Sequence, residues 1–104
     1  MKKPDYYARS YVVRYRTLSG EKLYLTKNGE IIEEPQLDAV DTYYDISDIR
    51  YGRVVEIGEK YNEDHQSNPI ISYEIAIMET EVYMHGTPNG AFIYFPDDKE
   101  KNNV

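Results

Sequence analysis

Residues 10–34 read SYVVRYRTLSGEKLYLTKNGEIIEE, and the fold turns on how this stretch is divided. Residues 10–18 alternate with a period of two. Tyr11, Val13, Tyr15 and Thr17 fall on one face and Val12, Arg14 and Arg16 on the other, the spacing of a half-buried strand. Ser19-Gly20 marks a turn, Lys22–Thr26 a second strand with Leu23 and Leu25 on one face, and Ile31–Glu34 a third. Asn28-Gly29 is a strong hairpin signal, because a two-residue type I′ turn needs positive φ at both central positions. Such a loop sets Leu25 opposite Ile32. At the first turn a two-residue loop would set Arg14 and Arg16 against Leu25 and Leu23. The apolar pattern therefore selects a three-residue loop, Ser19-Gly20-Glu21, with Tyr15 opposite Leu25 and Thr17 opposite Leu23, since a one-residue slip moves every side chain to the other face.

Downstream, residues 35–41 read as an extended link anchored by Leu37 and Val40. Thr42 and Asp45 form a Thr-x-x-Asp variant of the capping box. Tyr43, Ile46 and Ile49 make an apolar stripe, and Gly52 supplies a left-handed terminator. The spacing predicts a short helix over about 43–51. Arg53–Ile57 reads as a fourth strand, Lys60–Pro69 as an exposed loop, and Ile70–Met84 as a long extended run. The apolar phase of that run switches after Ile77 to Val82 and Met84, predicting a bulge near Glu79-Thr80. His85–Gly90 is a hairpin loop, Ala91–Phe95 a last strand ended by Pro96, and no internal repeat is evident. The fold class is α+β: a mainly antiparallel β-sheet of five or six strands with one short α-helix. The 104 residues suit one domain, with residues 1–9 and 97–104 as flexible ends.

Composition narrows the function. There are 12 tyrosines against 2 Phe and no Trp, so aromatic volume comes from side chains with a polar tip. Without cysteine there is no disulfide, thiolate metal site or thiol nucleophile. The N-terminal segment lacks a signal-peptide apolar run, and no stretch nears the ~20 apolar residues of a membrane helix. These features point to a cytoplasmic protein with no membrane partner. His65 and His85 both fall in predicted loops and fit no zinc spacing. No Gly-x-Ser-x-Gly elbow or phosphate-binding glycine loop occurs. The expectation is no enzyme, no metal, no cofactor and no catalytic residue.

The net charge of −7 is unevenly spread: residues 1–29 carry +5, residues 30–49 carry −7 and residues 50–104 carry −5. The middle run, Glu30, Glu33, Glu34, Asp38, Asp41, Asp45 and Asp48, has no base in it. Alternate strand residues stand ~6.6 Å apart and i, i+3 helical ones ~5–6 Å, spacings comparable to successive phosphates. With Tyr44 this run is the candidate partner-binding surface, facing a basic protein such as a nuclease or other nucleic-acid-binding protein. Acids before a helix also suit its dipole, and Glu33-Glu34 also suits a protected sheet edge. An alternative nucleic-acid face is Tyr11, Arg14, Tyr15 and Arg16, where aromatics and arginines interleave as in single-strand binders. Sequestration of a small ligand is a third reading.

Over residues 10–58 the order of strand, Ser-Gly turn, strand, Asn-Gly turn, strand and capped helix resembles small prophage open reading frames of Gram-positive bacteria. The acidic, cysteine-free character is similar to that of phage-encoded inhibitors of the anti-CRISPR and anti-restriction type, some of which mimic nucleic acid. That resemblance implies a non-catalytic inhibitor acting in the host cytoplasm.

Overall fold

Two five-residue segments, Thr17-Leu-Ser-Gly-Glu21 and Thr26-Lys-Asn-Gly-Glu30, make the same turn twice. In each, the threonine N–H donates to the glutamate carbonyl (3.0 and 2.9 Å) and the glycine N–H to the threonine carbonyl (2.9 and 3.0 Å). Gly20 and Gly29 take φ of 92° and 79°. These are three-residue loops closed by a left-handed glycine. The buried threonine hydroxyl accepts from the glutamate N–H in both, at 3.1 Å in the first and 3.0 Å in the second. A turn element is therefore repeated where no repeat is expected.

In a computed structural model that describes residues 3–83 and 91–96, these turns link β1 (Tyr6–Thr17), β2 (Lys22–Leu25) and β3 (Ile31–Ile32). A helix, α1 (Tyr51–Glu63), then leads to β4 (Ile70–Val82) and β5 (Ala91–Tyr94). The five strands form one antiparallel sheet in the order β3-β2-β1-β4-β5. The α+β class with one short helix is as expected.

The register departs from expectation in an instructive way. The first loop is odd-length, but it is Leu18-Ser19-Gly20, so Tyr15 faces Leu23 rather than Leu25. That two-residue shift keeps every face assignment. The second loop is Lys27-Asn28-Gly29, not the two-residue turn, and Leu25 faces Ile31 rather than Ile32. The threonine hydroxyl bonding back to the glutamate N–H selects the longer loop.

The helix lies elsewhere than 43–51. There, only Ile46–Asp48 forms a single 3₁₀ turn, and Ile49 (φ −76°, ψ 126°) returns to extended backbone. Thr42 does not cap it; the Asp45 carboxylate does, accepting from Ser47 N–H at 2.9 Å. Residues 53–57 are helical, not a fourth strand, and Lys60–Glu63 is the last helical turn, not loop. Gly52 sits in the first turn of α1 and terminates nothing. The stripe that decides this is Val54, Ile57, Gly58 and Tyr61, spaced i, i+3, i+4, i+7.

One sheet face carries Val13, Tyr15, Leu23 and Leu25, covered by Val54 of α1 and by Ile49, with Ile57 and Tyr61 packed alongside. The other face carries Val12, Tyr24, Ala76 and Met78, joined by Val40, Ile93 and Phe95. Phe95 stacks on Tyr24 with centroids 5.2 Å apart. β4 passes through Glu79-Thr80 without a bulge, opposite Arg9 and Ala8; the register shift lies at Arg16/Thr17. What switches along β4 is the covered face, from the Ile75 side to the Met78 and Thr80 side. At the N-terminus, β1 begins at Tyr6 opposite Val82, so residues 6–9 belong to the sheet rather than to a flexible end. The expected loop at His85–Gly90, Met84 and the tail from Asp97 lie outside the described residues.

Candidate functional site

The acidic run begins with Glu30 in the β2–β3 turn, and from Glu33 to Asp48 it forms the connection from β3 to α1. Its backbone is tied to the end of β2 by one antiparallel bridge. Asp41 N–H donates to Leu25 C=O at 3.0 Å and Lys27 N–H to Ala39 C=O at 2.9 Å, which pairs Thr26 with Val40. Val40 is fully buried and is the anchor of this segment, whereas Leu37 is exposed and is not. Farther on, Tyr43 exchanges two backbone hydrogen bonds with Tyr11 of β1, at 2.8 and 2.9 Å. The connection thus lies along the end of the sheet as a braced ribbon.

Its side chains point outward. Glu30, Glu33, Glu34, Asp38, Asp45 and Asp48 are exposed and Asp41 is half-buried. Glu30, Glu33, Glu34, Asp38 and Asp48 enter no ion pair among the described residues. Asp41 is engaged internally, accepting from Tyr43 Oη at 2.6 Å and Arg53 Nη1 at 3.3 Å. Burial, with this carboxylate second, pushes the Tyr43 hydroxyl up to about 12. The Asp45 carboxyl is held below its ordinary value by hydrogen bonds from Ser47 N–H and Ser47 Oγ, both 2.9 Å.

Between these two anchored residues stands Tyr44, 94% exposed. Tyr43 is pinned to β1 on one side and Asp45 is locked into the 3₁₀ turn on the other. The ring is thereby presented to solvent on restrained backbone. The helix-dipole account of Asp45 and Asp48 weakens with the loss of a helix over 43–51, and α1 has no acid in its first turn. Glu33 and Glu34 do follow the edge strand β3, where acids also protect an edge.

Sequence reading misses three cations at this site. Lys27, Arg50 and Arg53 line a pocket of about 280 Å³ with Asp41, Tyr43 and Asp48. Asp41 and Asp48 therefore face compensating charge, as Glu30 does beside Lys60, and the outward acids of the run are Glu33, Glu34, Asp38 and Asp45, the last adjoining Tyr44 in sequence. The signal was the Arg50-x-x-Arg53 pair, placed in the sequence reading at a helix end and a strand start instead of on one helical turn.

The alternative face does not assemble. Tyr11 and Tyr15 lie on the α1 side of the sheet and Arg14 and Arg16 on the other. Tyr15 and Arg14 are 1% and 2% exposed. Arg14 Nη2 and Arg16 Nη2 reach the same Glu74 Oε1 at 2.7 and 3.1 Å, and the Arg14 guanidinium sits 5.1 Å from the Phe95 ring centroid. Tyr15 and Arg14 thus offer no surface for base stacking or phosphate contact, while Arg16 keeps 31% of its side chain exposed.

His65 serves structure. Its ring stacks on Tyr61 with centroids 3.7 Å apart, and its Nδ1 lies 2.8 Å from the Tyr61 carbonyl oxygen at the end of α1. Among the described residues, no three His, Asp or Glu side chains gather as a metal would require, and no helix is long and apolar enough to cross a membrane. Compared with protein-family models, with curated proteins and with solved structures, the chain finds no match in any of the three.

Proposed function

We propose that this chain is a non-catalytic binding protein, an inhibitor of the phage anti-defence type. In this reading it engages a basic surface of a nucleic-acid-handling protein in the host cytoplasm through the acidic connection between β3 and α1. The observation that carries the reading is Tyr44, 94% exposed on braced backbone in a connection whose Glu33, Glu34 and Asp38 are exposed and enter no ion pair among the described residues. An exposed ring is a cost to the free protein, and an aromatic already held in place loses little entropy when a partner covers it. Tyrosine is enriched at the energetic centres of interfaces, and charges at the rim speed encounter with a partner of opposite sign. Carboxylates at this density make a surface suited to a site that normally takes phosphates.

The experiment is a comparative pull-down from a bacterial host lysate. Three baits are used: the parent, Tyr44→Ala, and a reversal of Glu33, Glu34 and Asp38 to Lys. The parent is expected to retain one or a few basic proteins, with recovery falling steeply with salt because exposed charges are screened over ~8–10 Å. Both variants are expected to melt like the parent and lose those proteins. Tyr44→Ala is expected to cost about 30-fold in affinity, the scale of an interface hot spot of ~2 kcal/mol. Identical recovery by all three baits defeats the proposal.

A further inference from the structure

β4 is longer than the strand that covers it. β1 pairs with β4 from Ile70 to Val82, whereas β5 pairs only with Glu79–Val82. Among the described residues nothing pairs with the outer edge between Ile71 and Ile77. The alternation of an antiparallel ladder decides which peptide groups point outward. Thr17 N–H bonds to Glu21 on the β2 side, and Tyr11 N–H bonds to Tyr43 on that same side. Val12, Arg14 and Arg16 therefore turn their peptide groups toward β4, onto Ala76, Glu74 and Ser72. It follows that Tyr73, Ile75 and Ile77 direct N–H and C=O away from the sheet, whereas Ile71 is the extra residue where the β1–β4 register shifts.

Edge strands are ordinarily blunted by charge, proline or a bulge. Beyond the register shift at Ile71, this one is apolar and locally neutral. Ile71 is 60% exposed, and Tyr73 is joined by exposed Tyr51 and Val55, one turn apart on α1. The Tyr51 and Tyr73 centroids are 6.3 Å apart, and a groove of about 150 Å³ runs on between α1 and β4 past Gly58. The acid of this stretch, Glu74, is held by Arg14 and Arg16.

We propose that this edge pairs with the same edge of a second copy, β4 against β4 in antiparallel, so that one sheet runs through a dimer. Three observations select a second copy over other occupants. The row is self-complementary: with the two-fold axis at Tyr73, Ile71 faces Ile75 of the other chain and Glu74 faces Ser72. An axis at Glu74 would instead set two carboxylates opposite each other, which is destabilising. Charge also permits it. Glu33 and Glu34 follow β3, the opposite edge of the sheet, so the two β3 strands would stand seven strand spacings or roughly 34 Å apart, and the Tyr43 segment beside β1 would stand five spacings or roughly 24 Å from its counterpart, both beyond a Debye length. Finally, residues 97–104 read DDKEKNNV and offer no alternating apolar side chains to lie along Ile71 and Tyr73. This proposal does not rest on the acidic surface.

Sedimentation velocity on the full chain from low to high micromolar concentration tests it. A concentration-dependent dimer is expected, and Ile71→Lys is expected to give monomer with an unchanged circular dichroism spectrum and melting curve. The chain has no cysteine, so Tyr73→Cys places one thiol at the axis. Cα atoms of a hydrogen-bonded antiparallel pair lie ~5.5 Å apart, within disulfide reach. Mild oxidation should then give covalent dimer rapidly, whereas Ser47→Cys on the exposed 3₁₀ turn should not. If Tyr73→Cys fails to fold, Ile71→Lys decides alone. The proposal is overturned by a monomer at every concentration, by a dimer that survives Ile71→Lys, or by equal cross-linking at the two cysteines. A monomer that takes an extended apolar peptide along this edge overturns it too.

Discussion

Tyr15 occupies the space that a side chain at position 58 would need: a Cβ on Gly58 would stand 3.2 Å from Tyr15 Cε1. The tyrosine is held there. Its Oη donates to the Val54 carbonyl at 2.7 Å, and its ring meets Tyr73 edge-on with centroids 6.4 Å apart. This pair sets how closely α1 approaches the sheet. On an exposed helix, Gly→Ala gains about 0.5–1 kcal/mol. Here Gly58→Ala is expected to lose about 1–3 kcal/mol, because the ring must shift against the hydrogen bond to Val54 and the contact with Tyr73 that hold it. In a Tyr15→Leu background the same change should become neutral or stabilising. Urea melts of the four proteins in this cycle measure the coupling, and a stabilised Gly58→Ala single variant would sink the claim.

The paired turns make a second prediction. Gly20 has open space around its missing Cβ, so Gly20→Ala isolates the cost of positive φ, about 1–2 kcal/mol. Gly29→Val adds β-branching beside Arg53 and Ile57 and is expected to cost more. Gly20→Asn should be nearly silent, since Asn tolerates the left-handed region. Thermal melts that rank the three otherwise would remove the turn assignment.

Strand periodicity and turn chemistry made the β1–β3 meander legible, because both are local. The two face assignments of β1 followed from alternation alone. The helix was misplaced because Arg53-Val-Val-Glu-Ile57 is β-branched and reads as a strand by propensity. The partners that make it helical are Tyr15 and Ile70, far away in sequence. The acidic run was legible as composition, and so was its exposure. Nothing local showed that Tyr43 would pair with Tyr11, the contact that holds Tyr44 out. Burial of Arg14 was equally hidden, because its partner Glu74 lies 60 residues on.

Alkaline pH supplies a third prediction. Burial raises the hydroxyls of Tyr15 and Tyr43, the latter to about 12 from an ordinary 10.0. A hydrogen bond to Glu79 is the largest cause of the rise at Tyr94. A raised native pKa means the neutral form is favoured in the fold. The stability it contributes is complete below pH 10 and drains away as pH rises toward 12 and beyond. Denaturant midpoints should fall across that window, and ultraviolet titration should show these tyrosines ionising only as the protein unfolds. Tyr43→Phe should flatten part of the slope, and an unchanged slope would refute the Asp41–Tyr43 assignment.

The last prediction concerns Arg14 and Glu74. Arg14 is 2% exposed, and its Nε and Nη2 lie 2.8 and 2.7 Å from Glu74 Oε1. Burial raises the Glu74 carboxyl, but the hydrogen bond and charge of Arg14, with Arg16 behind it, more than offset this and hold it below its ordinary value. Glu74→Gln leaves a buried guanidinium without its carboxylate and is expected to cost about 1–3 kcal/mol near neutral pH. Arg14→Met removes the charge and keeps the volume, so it should cost less than Glu74→Gln, as buried pairs replaced by apolar groups often do. The sign with pH follows from the depressed native pKa. The pair's contribution is present above the unfolded glutamate pKa of ~4.3 and is lost as pH falls through the native one. The gap between parent and Glu74→Gln should therefore close on acidification, and Arg14→Met should show a shallower acid limb than the parent. Urea midpoints from pH 7 to pH 2 decide it: a gap that persists undiminished at the acid end would mean that Glu74 stabilises by packing and not by its charge.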